Sequence, residues 1–562
     1  MTTTTAPTAT AARPDRGAVW PGRPLAGTGL LLRLALRRER VTLPVTVVVL
    51  VATFAVTISS VSTAYGTQGD RDAAAATLGT NAAFRVLLGP LRNTQSIASV
   101  SQWRIGLFML VVVGVLTAMT VVRHTRKEEE AERLELVRAA PVGALAPLAA
   151  GTIVAVILSL AVALGMAGSL AAVAEAPGDG AGAVVVGVQY LAIGLAGAGL
   201  GAVGAQVATV SRTATTIPVL VLVAGYALRG IGDVQDGLGW LRWLSPVGWA
   251  EEMDPFGANS YGPALLSVAL AVVGVGVAAR LAVGRDVGAG LVQPRPGPAD
   301  GPHLDSPLAL TRRLQGTALA SWAYAVGAYC FLLGLILSSA DDLVGGNADA
   351  ASLIEQLGGT GRLQDVMTAL ILGWVGIVAA AWTVTYAAQL RGEEVSGRAE
   401  VQLTTGVTRA RYVGVATLVS VAGVVLILAA AGVLMGLGHA LTGGSWGSAF
   451  GDAVGGAAVQ VPAALVVGGL VLACYAWWPR LVGIGWGVIT VVLLLELLGD
   501  ALDLPQWVLD VSPFTHTPRV PLDDATALPL VVLTLVAAAF YAVAYARFAG
   551  VAGLRGRDVP SV

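Results

Sequence analysis

Two stretches of this chain carry most of its usable side-chain chemistry. Arg126–Gly143, RKEEEAERLELVRAAPVG, aligns without a gap to Arg391–Thr408, and six of the eighteen positions are identical: Arg126/Arg391, Glu128/Glu393, Glu129/Glu394, Arg133/Arg398, Glu135/Glu400 and Val142/Val407. Five of the six are charged, in a chain only 12% charged, so low complexity is a poor source for the match. In each copy a Glu stands four residues before an Arg, Glu129 before Arg133 and Glu394 before Arg398, the favourable order for a helical ion pair. Glu128, Glu132 and Glu135 recur at a spacing that lines one face of a short helix, and Pro141 and Gly406 stand where that helix should end. A single helix of this kind reads as a solvated surface cap. Its duplication favours a matched pair of charged levers on which a pair of partners docks.

Other chemistries find no residues. The only lysine is Lys127, inside the acidic stretch, so the G-x-x-x-x-G-K-[ST] phosphate loop is absent. Cys330 and Cys474 fall in apolar runs, which excludes a disulfide framework or a CxxC metal site. His124, His303, His439 and His516 are scattered and form no metal-binding pattern. The formal net charge of -1 gives no basic excess for nucleic acid.

The elements that hold the levers must lie in lipid. Hydrophobic residues make up 55% of the 562, and the mean hydropathy is +0.75. A hydrocarbon core about 30 Å thick takes about 20 apolar residues per helix, and runs of that length fall at 42–62, 105–122, 144–173, 183–210, 214–231 and 262–283, then at 318–339, 366–388, 411–437, 454–478, 481–499 and 526–549. The expected architecture is all-α, with twelve transmembrane helices as two six-helix halves at 30–283 and 318–549. A disordered N-terminus (1–29), a Pro-rich linker (284–317) and a tail (550–562) flank them. With the N-terminus inside, 26 of the 34 Lys and Arg fall on the inner side, against 14 of the 35 acidic residues, the asymmetry expected of cytoplasmic loops. Both termini and both levers are then cytoplasmic, the chain is a multi-pass cell-membrane protein, and an even number of spans per half makes the halves parallel, related by an axis along the membrane normal.

Two further features repeat. Leu30–Arg40 and Leu308–Trp322 each precede the first span of a half and combine Leu and Ala with Arg, as interfacial helices do; positive-inside anchoring alone would also explain them. On the outer side, Trp243, Ser245, Pro246, Gly248 and Trp249 precede Glu251, Glu252 and Asp254, and Ser512, Pro513 and Phe514 occupy the matching loop of the second half. Tryptophans in such places are ordinarily belt residues; the shared Ser-Pro argues for a shaped external cap or a re-entrant turn. Of the acidic residues, only Glu496 falls clearly inside a span, near its outer end, where snorkelling accounts for it.

With its two six-span halves, the RKEEEAERLELVRAAPVG loop, the WLSPVGWAEEMDPFG segment and the SPFTHTP segment, the chain resembles the actinobacterial ABC-2-type permeases described as exporters of polyketide antibiotics. The likeness runs over nearly the whole chain after residue 30. It implies a transport subunit that is no enzyme by itself and carries no cofactor, joined to two copies of an ATP-binding subunit that hold ATP and Mg. It further implies export of hydrophobic small molecules, with Arg126, Glu128, Glu129, Glu132, Arg133, Glu135 and Arg391, Glu393, Glu394, Arg398, Glu400 in coupling helices. Gly397 stands where the first copy has Glu132, which makes the two docking sites unequal. Sparse charge in the spans suits an apolar cargo. The competing reading is a proton-driven twelve-helix drug transporter working through Glu496; a scaffold or intramembrane enzyme would need polar residues clustered at one depth.

Overall fold

The computed structural model describes residues 23–550 apart from 80–81, 139, 287, 293–300, 302–303, 338–362, 443–444, 480–481 and 499–504. The expected N-terminal segment up to residue 22, most of the Pro-rich part of the linker and the tail from 551 lie outside the described residues. Among the described residues the secondary structure is helical except for one isolated parallel bridge, Ala208 to Val292. The chain forms two compact units, Met1–Pro296 and Gly297–Val562.

The first unit contains α1 (Thr28–Arg38), α2 (Thr42–Ala64), α3 (Gln68–Thr77), α4 (Ala82–Leu88), α5 (Ile97–His124), α6 (Arg126–Glu130), α7 (Arg133–Arg138), α8 (Ala146–Ala171), α9 (Asp179–Val207), α10 (Ser211–Val234), α11 (Pro246–Glu251) and α12 (Ala264–Gly284). The second contains α13 (Pro307–Leu337), α14 (Leu363–Val395), α15 (Arg398–Thr404), α16 (Arg409–Leu441), α17 (Trp446–Trp477), α18 (Ile484–Leu498), α19 (Gln506–Leu509) and α20 (Ala527–Gly550). Eleven of these, α2, α5, α8, α9, α10, α12, α13, α14, α16, α17 and α20, are long and apolar enough to cross a membrane. Irregular backbone cannot face hydrocarbon, and these helices are apolar all round, the composition of elements immersed in lipid or core.

Of the expected span at 481–499, the described residues show α18, 15 residues or about 22 Å of helix against about 30 Å of hydrocarbon, with 481 and 499 outside the described residues. One correction concerns Leu308–Trp322. It forms no separate interfacial helix but is continuous with the span behind it in the 31-residue α13, whereas α1 is set off from α2 by Glu39–Val41. No proline breaks the run from Leu308 onward, and the helix passes through Gly316.

In each unit one helix is central. α9 packs against α5, α8, α10 and α12, and α17 packs against α14, α16, α18 and α20. Close approach to α9 depends on its glycines: a Cβ on Gly197 would stand 2.1 Å from the Gly114 carbonyl oxygen of α5, and one on Gly201 2.5 Å from that of Ala118. Small residues perform this role between helices in lipid. In the second unit the buried Trp382 of α14 stacks on Tyr386 at 5.9 Å between ring centroids, and Gly423 of α16 makes room for its indole.

Candidate functional site

The first charged segment is anchored by a buried arginine. Helix α5 ends at Thr125, whose non-helical backbone turns the chain before α6 begins at Arg126. Arg126 is fully buried. Its Nε donates to the Ala205 carbonyl at the end of α9 (2.7 Å), and its Nη1 donates to Ala289, beyond α12 (3.1 Å). The same Nη1 lies 2.8 Å from Glu129, whose other oxygen meets Arg285 at 2.7 Å. Arg285 also donates to Gln206 at 2.7 Å. Arg126, Glu129 and Arg285 thus tie the charged segment to the central helix and to the last span of its unit. Glu128 pairs outward, with Arg38 of α1 at 2.9 Å and Arg133 at 3.5 Å.

Three expectations about this segment need correction. It is not one helix: α6 and α7 are separated at Ala131 and Glu132, and Glu132 has a left-handed backbone, φ 57°, so Glu128, Glu132 and Glu135 share no helix face. Glu129 pairs with Arg126 and Arg285, not with Arg133. In the second copy Arg398 is paired with Glu393 through two contacts of 2.8 Å, and Arg391 lies 3.7 Å from Glu394; the expected Glu394–Arg398 pairing is replaced. The break in each segment disrupts the i,i+4 register on which the expected pairs rested.

The observed pairings nevertheless match. Arg126 pairs with Glu129 as Arg391 does with Glu394, and Glu128 with Arg133 as Glu393 does with Arg398. Gly397, at the position of Glu132, is also left-handed, φ 73°. Glycine carries such a backbone without the strain a glutamate bears, so this substitution preserves the turn. Gly406 is left-handed just beyond α15, the conformation of a helix-terminating residue.

The copies differ in anchorage. Arg391, Glu393 and Glu394 ride on the end of α14 itself, and Arg391 is about one-third exposed where Arg126 is buried. Of the first segment, Glu132, Arg133 and Glu135 are exposed; of the second, Arg398 and Glu400. The Glu393 carboxylate holds the Arg398 guanidinium above its ordinary pKa.

At the opposite end of the first unit lies a charge cluster that the sequence did not announce. Arg229 of α10 is fully buried; it contacts Asp233 at 2.8 Å and Glu251 of α11 at 3.7 Å, and donates to the Val86 carbonyl at 2.6 Å. Arg242 joins Glu252 at 2.9 Å and Asp233 at 3.7 Å, and Arg92 lies 3.7 Å from Asp254. Burial pushes the Glu251 carboxyl up to about 8, against the pull of Arg229. The four-residue spacing of Arg229 and Asp233 at a span end was the available signal, followed by Glu251, Glu252 and Asp254 farther along the next loop.

The Ser-Pro residues sit here. Buried Ser245 donates from Oγ to the Gly225 carbonyl of α10 and accepts the Gly248 N–H, both at 3.1 Å, with Pro246 as the first residue of α11. Trp249 Nε1 donates to the Trp243 carbonyl at 2.6 Å, while the Trp243 ring remains about half exposed. In the second unit Ser512 Oγ accepts the Phe514 N–H (3.2 Å) and donates to Glu496 (3.1 Å), Pro513 opens a 3-10 turn, and Phe514 is buried. Each Ser-Pro is therefore a helix start, serine capping and proline in the first turn. Glu496 is exposed at the end of α18. Among the described residues no cluster of His, Cys, Asp and Glu is suited to a metal ion.

Apolar spans, charged ends and anchored short helices define a multi-pass helical membrane protein. Residues 304–549 match the family model for the multidrug efflux system permease Rv1217c, C-terminal domain. The whole chain is 36% identical over 542 residues to the multidrug efflux system permease protein Rv1217c of Mycobacterium tuberculosis, an alignment covering 96% of each. The chain belongs to the Rv1217c family of multidrug efflux system permeases.

Proposed function

We propose that this chain is the membrane subunit of an ABC-2-type exporter, with twelve spans in two six-helix halves related by an axis along the membrane normal. Two copies of a separate ATP-binding subunit supply the energy. Both termini and both charged segments face the cytoplasm, and hydrophobic compounds leave the cell through the permease. The observation that carries this reading is the repeated charged segment: the same two ion pairs, a left-handed residue at the same position before a short helix, and the same place after the second span of a unit. Exposed Glu132, Arg133, Glu135, Arg398 and Glu400 offer surfaces for docking, and Arg126 connects the first surface to the central helix α9. A movement imposed on α6 is thereby passed to α9 and, through Arg285, to the segment following α12. The printed name of the Rv1217c relative supports drug efflux as the transport activity.

The Asp233–Arg229–Glu251 cluster is the observation that favours the proton-driven alternative, since buried carboxylates in a transporter commonly carry protons. The two readings separate by crosslinking and co-purification. With cysteines placed at Glu135 and Glu400, the proposed ATP-binding subunit should crosslink to both positions and co-purify at two copies per permease. Charge reversal, Glu135→Lys with Glu400→Lys, should lose the partner while leaving the permease folded. Full partner retention by that variant would remove the docking role.

A further inference from the structure

A cavity of about 290 Å³ lies in the first unit at the end that carries the charged segment, walled by α2, α5, α8 and α10. Its floor is apolar, from Leu43, Leu116, Met119 and Leu158, while Arg123, Lys127 and Arg212 stand at its polar end with the carboxylate of Glu39. Glu39 is already engaged, at 2.8 Å from Arg123 and 3.0 Å from His124. Lys127 and Arg212 have no ion pair among the described residues, and the buried Nε of Arg123 has no hydrogen-bond partner there. Three lining threonines do not compensate as donors: Thr46, Thr120 and Thr215 each donate to the carbonyl four residues earlier in their own helices. Thr42 and Ser211 also line it with hydroxyls, and its charged donors are Arg123, Lys127 and Arg212, so the lining has three positive groups against one committed negative group.

Placement says how an occupant would enter. α2 packs on α5 and α8, and α10 on α5 and α9, so the cavity fills the gap between α2 and α10. These two helices turn exposed apolar side chains outward, among them Val45, Val48, Leu220 and Val223, the faces that meet lipid. The volume is at the lower end of small-molecule sites, enough for a headgroup and the first part of a chain, with the remainder left in hydrocarbon.

We propose that this cavity binds an amphiphile with a single anionic headgroup, carboxylate or phosphate, seated among Arg123, Lys127 and Arg212, with its apolar tail passing between α2 and α10 into the bilayer. That the occupant comes from the inner leaflet as cargo awaiting export rests on the orientation proposed above; the binding itself does not require the ATP-binding subunit. Two sources share this chemistry, an acidic hydrophobic cargo and an anionic phospholipid.

The test uses the full chain in phosphatidylcholine nanodiscs, with spin-labelled stearate as probe and its methyl ester as the uncharged control. Stearate should show an immobilised component that the ester lacks. Lys127→Gln with Arg212→Gln, which breaks no ion pair seen among the described residues, should weaken stearate binding at least tenfold, and the charge-keeping Lys127→Arg with Arg212→Lys should restore it. Met119→Trp, filling the cavity, should abolish immobilisation even if the double variant folds poorly. If phosphatidylglycerol in the nanodisc displaces stearate mole for mole, the natural occupant is lipid; if it does not, the site selects a carboxylate cargo. Equal binding of stearate and ester, or unchanged binding by the glutamine and tryptophan variants, overturns the proposal. Because these measurements omit ATP and any partner, their failure leaves ATP coupling untouched, and loss of ATP coupling leaves them interpretable.

Discussion

At the scale of single residues the two charged segments are alike in pairing and unlike in anchorage, and that difference can be measured. Arg126 has no solvent exposure and holds both Glu129 and the Ala205 carbonyl, so Arg126→Ala should destabilise the protein by about 3 kcal/mol or more, the usual cost of breaking a buried pair. Arg391, partly exposed and 3.7 Å from its glutamate, should cost under about 1 kcal/mol on the same change; thermal unfolding of the two purified variants compares them. At the other end, Glu251 is held above its ordinary pKa by burial. The folded state keeps a proton that the unfolded state releases, so stability is greatest below the ordinary carboxylate range and falls as pH rises from there to about 8. Glu251→Gln should flatten that fall, seen as a smaller drop in unfolding temperature across the same range; an unchanged slope would place the titration elsewhere. The sequence disclosed which residues in the levers are charged. It did not disclose that Arg126 is buried, because burial here depends on where α9 and the chain beyond α12 end.

At the scale of elements, apolar runs located eleven helices of spanning length, with α13 starting well before its expected span, since hydrocarbon length and composition leave few alternatives. What was not legible were breaks and continuities that a polar residue does not mark. Thr125 and Glu132 interrupt a run of strong helix formers, whereas α13 passes without interruption through a stretch expected to lie flat. Hydropathy also could not separate glycines that close an interface from glycines that merely reflect composition. Gly197 is of the first kind, with the Gly114 carbonyl 2.1 Å from a notional Cβ, and Gly276 of α12 has open space around it. Gly197→Val should reduce the folded yield and lower the melting temperature by forcing α9 away from α5, a cost of about 1–3 kcal/mol or more. Gly276→Ala should be neutral or slightly stabilising. Equal tolerance of both would mean that α9 is not the close-packed centre of its unit.

At the scale of the whole molecule, the proposed function requires the two charged segments to transmit force supplied by another polypeptide, since the sequence holds no G-x-x-x-x-G-K-[ST] phosphate loop. The Ser-Pro helix starts and the matched ion pairs recur in both units, which supports the proposed duplication, and the matching segments were readable because charge is rare in this chain. The charge cluster around Arg229 went unread because its members are divided between α10 and the loop that follows, and only the folded unit brings them together. The most direct measurement is transport by the purified chain in proteoliposomes, with and without the proposed ATP-binding subunit, using a fluorescent hydrophobic drug. Concentrative transport should appear only when the partner and ATP are both present, and should survive collapse of the proton gradient. Concentrative pumping by the permease alone, driven by a pH difference and abolished by an uncoupler, would contradict it.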